Sequence, residues 1–119
     1  MASSKEFGDS GEERGALYLE SQGYQILKRN QRTPYGEIDI IAQKNNVIVI
    51  VEVKARSSDF FGSPESAVNF KKQEKIRQSA LWWIQESGNH NKEIRFDVLG
   101  ILRRRKEEWE INHWIGGFE

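Results

Sequence analysis

The sequence contains no cysteine, which excludes disulfides, thiolate nucleophiles and cysteine-ligated zinc. Proline occurs only twice, and hydrophobic residues make up 37% against 30% charged, so the composition is that of a globular chain, not a disordered one. Long apolar runs are missing too: the longest, Val47 to Val51, is far too short to span a bilayer. The polar opening Met1-Ala2-Ser3-Ser4-Lys5-Glu6 has no apolar segment of the kind a secretion signal needs. A soluble, cytoplasmic protein without a membrane partner is the expectation, with positions 1–6 disordered. An excess of charge of one sign is also lacking, since the formal net charge is zero. The total therefore announces no nucleic-acid partner.

What is present is a chain of 119 residues, enough for one domain with a modest core. Its charges are segregated: acids gather at Glu6, Asp9, Glu12, Glu13 and Glu20, bases at Lys28, Arg29 and Arg32, at Lys71, Lys72, Lys75 and Arg77, and from Arg103 to Lys106. A neutral protein patterned this way can still present a basic face. Gly11 to Gln22 reads as a helix with Ala16 and Leu19 inward and Gly23 ending it. Tyr24 to Lys28 reads as a short strand, and Arg29 to Tyr35 as a polar connection punctuated by Pro34. Glu37 to Ala42 and Val47 to Lys54 read as strands, joined by turn residues around Asn45-Asn46 that tolerate left-handed angles. A long helix follows from Ser66 to about Ser87, stopped by Gly88. Ile94 to Leu102 and Trp109 to Ile115 complete the order α-β-β-β-α-β-β, an α/β fold with a mixed central sheet flanked by helices.

The hairpin carries the chemistry. Side chains alternate along a strand, so Glu52 and Lys54 share a face. A two-residue loop at Asn45-Asn46 sets Asp39 opposite Glu52 and Glu37 opposite Lys54, with Cβ atoms of opposed residues about 4.5–5.5 Å apart. Two carboxylates that close at the end of an apolar strand repel each other. A proton, a basic neighbour or a divalent cation has to offset this. Oxygen-only donors suit Mg²⁺, and Lys54 points to the same place, where it could orient a water or steady charge on phosphate. An ordinary solvated strand face, with Glu37 paired to Lys54 and Asp39 to some arginine, is the competing reading. On the long helix, Val68, Ile76, Ala80 and Ile84 form a stripe that faces the sheet, and Lys72 interrupts it. That lysine either snorkels at the helix edge or meets an acid.

Gly11-Glu12 opening a helix, Gly23-Tyr24-Gln25-Ile26-Leu27, Arg29-Asn30, Gly36-Glu37-Ile38-Asp39-Ile40-Ile41, Val51-Glu52-Val53-Lys54-Ala55-Arg56, Phe61-Gly62-Ser63-Pro64, Lys72 and Arg95-Phe96-Asp97-Val98 together resemble the YraN-like family of small, largely uncharacterised bacterial proteins. That family in turn resembles the archaeal Holliday junction resolvases of the PD-(D/E)xK nuclease superfamily. The resemblance covers nearly the whole chain. It implies a restriction-endonuclease-like αβββαβ core and a Mg²⁺- or Mn²⁺-dependent endonuclease acting on DNA, branched DNA included. It implies that Asp39, Glu52, Glu12 and the Val53 carbonyl hold the metal, that Lys54 is the catalytic lysine, and that Lys72, Arg56 and Arg32 meet the substrate. Glu37 would orient Lys54, and Arg95 and Asp97 would be structural. Because resolving a four-way junction takes two paired cuts, a homodimer fits the same reading. Gly15 stands where the family usually has alanine, as does Gly117.

The remaining signals are plainer. His90 and His113 have no partner at metal-ligand spacing and read as surface histidines. Trp83 fits the core stripe and Trp82 reads as exposed, while Trp109 and Trp114 read as core or interface residues. Phe60 and Phe61 lie in a loop beside the proposed site. Two other function classes compete with the nuclease: a non-catalytic nucleic-acid-binding module, and a structural protein whose acids are simply paired on its surface.

Overall fold

The order α-β-β-β-α-β-β is the order found in a computed structural model, which describes residues 4–56, 68–105 and 108–119, with side chains from position 10 onward. Helix α1 runs Ser4–Ser21, followed by strands β1 (Gln25–Thr33), β2 (Gly36–Lys44) and β3 (Val47–Arg56), helix α2 (Phe70–Ser87), and strands β4 (Glu93–Arg105) and β5 (Glu108–Phe118). The strands form one sheet in sequence order, β3 pairing parallel with β4 and every other neighbour antiparallel. The single parallel step is where α2 crosses over, as parallel pairing requires. No helix among the described residues is long and apolar enough to cross a membrane.

The β2–β3 hairpin turns as expected. Asn45 and Asn46 both take left-handed angles, with φ of 51° and 65°, and Lys44 faces Val47. These are the backbone angles of a type I′ turn, which matches strand twist and tolerates asparagine. Gly23 and Gly88 end the two helices at φ of 90° and 74°, each in the left-handed cap that glycine accepts without strain.

Two apolar layers sandwich the sheet. Ala16 and Leu19 of α1 pack with Ile40, Ala42, Val49, Val51, Leu99 and Ile101 on one face. On the other, Ile76, Ala80, Trp83 and Ile84 of α2 pack with Val68, Ile41, Ile48, Ile50 and Val98. Trp109 joins the first layer and Trp82, with Trp114, the second, so Trp82 is half-buried, not exposed.

Several element boundaries differ from the expectation, the largest shifts being in β1, α1 and α2. Strand β1 extends to Thr33, through residues that read as a polar connection. It is an edge strand whose polar side chains stay in water while its backbone pairs with β2. Helix α1 reaches back to Ser4, inside the stretch expected to be disordered, because no proline interrupts backbone hydrogen bonding there. Helix α2 starts at Phe70, since Asn69 is its N-cap and accepts from the Lys72 amide at 2.9 Å. The loop with Phe60 and Phe61, and positions 66–67, lie outside the described residues.

Two glycines of α1 separate propensity from space. A Cβ on Gly11 would sit 2.8 Å from the Ala55 Cβ, closer than two such atoms can approach. A Cβ on Gly15 would meet only side-chain atoms, the nearest being a Leu99 methyl at 3.2 Å. Gly11→Ala is therefore expected to cost about 1–3 kcal/mol by overpacking. Gly15→Ala should gain up to about 1 kcal/mol of helix propensity against slight crowding. Urea unfolding of the two variants checks this, and equal effects would refute it.

Candidate active site

The site forms where the sheet's ladders give way. Pairing between β2 and β3 runs from Lys44↔Val47 to Ile40↔Val51 and stops there, one position short of Asp39 and Glu52. On the other side the β1–β2 register passes from Arg29↔Ile40 to Gln31↔Ile38, skipping Asn30 and Asp39. Alternation breaks at the same place, for Ile38 and Ile41 join the α2 layer while Ile40 and Ala42 join the α1 layer. Asp39 fills the opening: its Oδ2 accepts from the Val53 N–H at 2.8 Å, so a side chain takes the donor that a ladder carbonyl would otherwise hold.

Glu52 follows Ile48 and Ile50 on the α2 face and is 5% exposed. Two ammonium groups share its Oε1, Lys72 Nζ at 2.7 Å and Lys54 Nζ at 3.7 Å. Lys72 thus meets an acid instead of snorkelling away. Its position in the first turn of α2 puts a cation at the positive end of the helix dipole, a mismatch of about 0.3–1 kcal/mol. Glu52 offsets that cost.

The electrostatics follow from this crowding. Burial, then the neighbouring charge of Glu52, push the Asp39 carboxyl up to about 8 against the hydrogen bond from Val53, with Glu12 adding to the rise. Burial and the adjacent Lys72 lower the Lys54 amine, partly offset by Glu52. Burial also works against the charge of Lys72, but its contact with Glu52 outweighs this and raises it. Two carboxylates and two ammonium groups therefore converge, with too little solvent to relax all four charges independently.

Glu12 and Glu37 are brought together at the rim. Asn30 Nδ2 donates to Glu12 Oε2 at 2.9 Å and to Glu37 Oε1 at 3.0 Å. Glu37, expected beside Lys54, is held by Asn30 because the ladder opens before reaching Glu37 and Lys54. Arg32 is exposed and pairs with Glu37 in the β1–β2 register. Arg56 is exposed at the end of β3, its guanidinium donating to the Ala55 carbonyl at 3.1 Å. Asp97 lies on the opposite face, fully buried in a network with Arg95, His113 and the Gly116 amide.

Residues 11–101 match the model of a family described as Uncharacterised protein family UPF0102. The chain belongs to this family. A UPF0102 protein of Thermodesulfovibrio yellowstonii is 48% identical over 105 residues, 88% of this chain and 93% of the relative. One from Rhodococcus jostii is 42% identical over 113 residues, 95% of this chain and 96% of its own. One from Sulfurihydrogenibium is 49% identical over 90 residues, covering 76% and 78%. Among solved structures, Pyrococcus furiosus SfsA in complex with Ca²⁺ is similar at 13% identity and a TM-score of 0.36, over 87% of this chain and 59% of that one, a likeness too slight to argue from.

In this UPF0102 protein the matched span holds Glu12, Asp39, Glu52, Lys54, Lys72 and Asp97, but not His113. His113 is a correction to the surface reading. Its side chain is 7% exposed, with Nε2 2.7 Å from Asp97 and Nδ1 3.1 Å from the Tyr18 hydroxyl. Neither spacing nor periodicity points to it, because its partners come from β4 and α1. Asn30 was also missed. The stretch from Arg29 to Tyr35 reads as a polar connection, where an asparagine is ordinary.

Proposed function

We propose that this UPF0102 protein is a metal-dependent endonuclease that hydrolyses DNA phosphodiester bonds, branched DNA among its candidate substrates. The observation that carries this reading is Asp39 and Glu52 where the β2–β3 ladder opens, with Lys54 and Lys72 converging on Glu52. Asp39 and Glu52 would hold Mg²⁺ or Mn²⁺, with Glu12 and the Val53 carbonyl as further oxygen donors. Among the described residues no group of three or more His, Cys, Asp or Glu side chains is arranged to hold a metal. A pair of carboxylates completed by water and phosphate is how Mg²⁺ is usually bound, so the donors fit. A bound cation supplies Lewis-acid stabilisation of charge at phosphate. Lys54 would orient the attacking water, and Lys72 would move from Glu52 to a phosphate oxygen. Arg56 and Arg32 are the flanking cations for the DNA backbone.

The test is cleavage of labelled four-way-junction DNA and matching linear duplex with Mg²⁺ or Mn²⁺. Wild type should cut at least one of them, Asp39→Ala should not, and Lys54→Ala should be slower by about 10²–10³-fold. A second reading, a nucleic-acid-binding module, draws on Glu52 being neutralised by lysines already. It predicts tight, salt-sensitive binding that ignores Mg²⁺ and Lys54→Ala, with no cleavage.

A further inference from the structure

Asn30 occupies an unusual place for a strand residue. Its φ of 51° is left-handed, and it stands at the position the β1–β2 register skips, beside Asp39. Asparagine is among the few residues that adopt such angles readily. The consequence is that its amide leaves the strand's regular alternation and turns toward the rim of the site. It donates there to two carboxylates, Glu12 Oε2 at 2.9 Å from α1 and Glu37 Oε1 at 3.0 Å from β2. An NH₂ group has two hydrogens, so one neutral side chain can satisfy both acids.

This matters for Glu12. A glutamate on a half-exposed helix face has several rotamers and no reason to prefer the one aimed inward. The Asn30 bond selects a rotamer held at the strand position that lies opposite Asp39 where the β1–β2 register skips. A second tie, Arg29 NH1 to Glu13 Oε2 at 2.6 Å, fixes the same stretch of α1 against β1. We infer that Asn30 is a positioning residue that sets the Glu12 carboxylate as a donor to a divalent cation at Asp39 and Glu52. This rests on the proposed metal site and adds to it a residue that touches neither metal nor substrate.

The experiment measures Mn²⁺ binding to the full chain by calorimetry, without DNA, for Glu12→Gln in three backgrounds. These are wild type, Asn30→Gly, which accepts the left-handed angle, and Asn30→Asp, which keeps size and backbone tolerance but removes the donated hydrogens. In the wild-type background Glu12→Gln should weaken binding about tenfold, and Asn30→Gly alone by a similar factor. In either Asn30 background Glu12→Gln should then cost less than about threefold, because Glu12 has already lost its placement. A merely structural Asn30 would lower the melting temperature and leave the tenfold effect of Glu12→Gln intact, which overturns the inference. So does a Glu12→Gln variant that binds Mn²⁺ as tightly as wild type while Asp39→Ala does not bind, although the metal site then stands. Wild type that binds no Mn²⁺ overturns the metal site and this inference together.

Discussion

Asp97→Ala is expected to destabilise the fold by about 3–5 kcal/mol, a large part of the roughly 5–15 kcal/mol available to a domain of this kind. The carboxylate is completely buried and accepts from Arg95 Nε at 2.8 Å and NH2 at 2.9 Å, from His113 Nε2 at 2.7 Å and from the Gly116 amide at 2.9 Å. Its removal leaves the nearly buried His113 ring without its acceptor and strips Arg95 and the Gly116 amide of theirs, so the desolvation already suffered at His113 is no longer compensated. The damage extends beyond β4, because Arg95 also bonds Tyr24 at 2.7 Å and His113 bonds Tyr18 at 3.1 Å. Burial alone would raise the Asp97 carboxyl, but the bonds from His113, Arg95 and Gly116 more than reverse this and hold it below the usual range. The stabilisation is therefore present above about pH 4, where the unfolded aspartate ionises, and is lost as pH falls through the lower native value. Urea unfolding at neutral pH checks the size of the effect. A loss under about 1 kcal/mol would show that the network carries little.

The second large effect has the opposite sign. Asp39→Asn is expected to make the protein more stable than wild type at alkaline pH, by on the order of 2 kcal/mol, while removing divalent-cation binding. An unfolded Asp39 gives up its proton near 3.8, whereas the native one does so at about 8. Across that window the native state binds more protons than the unfolded state, so the group's contribution falls as pH rises. The penalty is full above 8 and absent below 3.8. Asparagine carries no charge at any pH, and its Oδ1 can still accept from the Val53 N–H. The gain should therefore be large at pH 8.5 and small near pH 4. Urea titrations at both pH values, in chelator, decide it; a variant no more stable than wild type at pH 8.5 would show that the carboxylates are not in conflict. A site that gathers unfavourable charge gives up stability in this way.

Much of this arrangement can be read from local rules. Asn45-Asn46 fixes a two-residue turn, the turn fixes the register, and the register carries Asp39 up to Glu52. Lys72 stands out because a charged residue interrupts an apolar stripe, and the structure gives it Glu52. What local rules miss is the opening of the ladder at Asp39, which depends on neighbours on both sides of β2. The left-handed Asn30 is invisible for the same reason. The polar β1 segment from Arg29 to Thr33 imitates a loop because an edge strand has little apolar surface to display. His113 reads as a surface residue because only tertiary contacts with Asp97 and Tyr18 bury it. The UPF0102 match adds membership but no chemistry, since the family is itself uncharacterised.

The sharing of one Glu52 oxygen by Lys54 and Lys72 has a thermodynamic consequence. Two carboxylates and two ammonium groups sum to zero formal charge when all are ionised, a balance that needs Asp39 to give up the proton it holds up to about 8. A divalent cation seated on Asp39 and Glu52 would leave it doubly positive and release Lys72 from its partner. Each change favours an anion such as a phosphodiester. By linkage, whatever factor the cation adds to nucleic-acid affinity, the nucleic acid must return to the cation. The two ligands would then assemble the site cooperatively, with the lysines holding the acids together until both arrive.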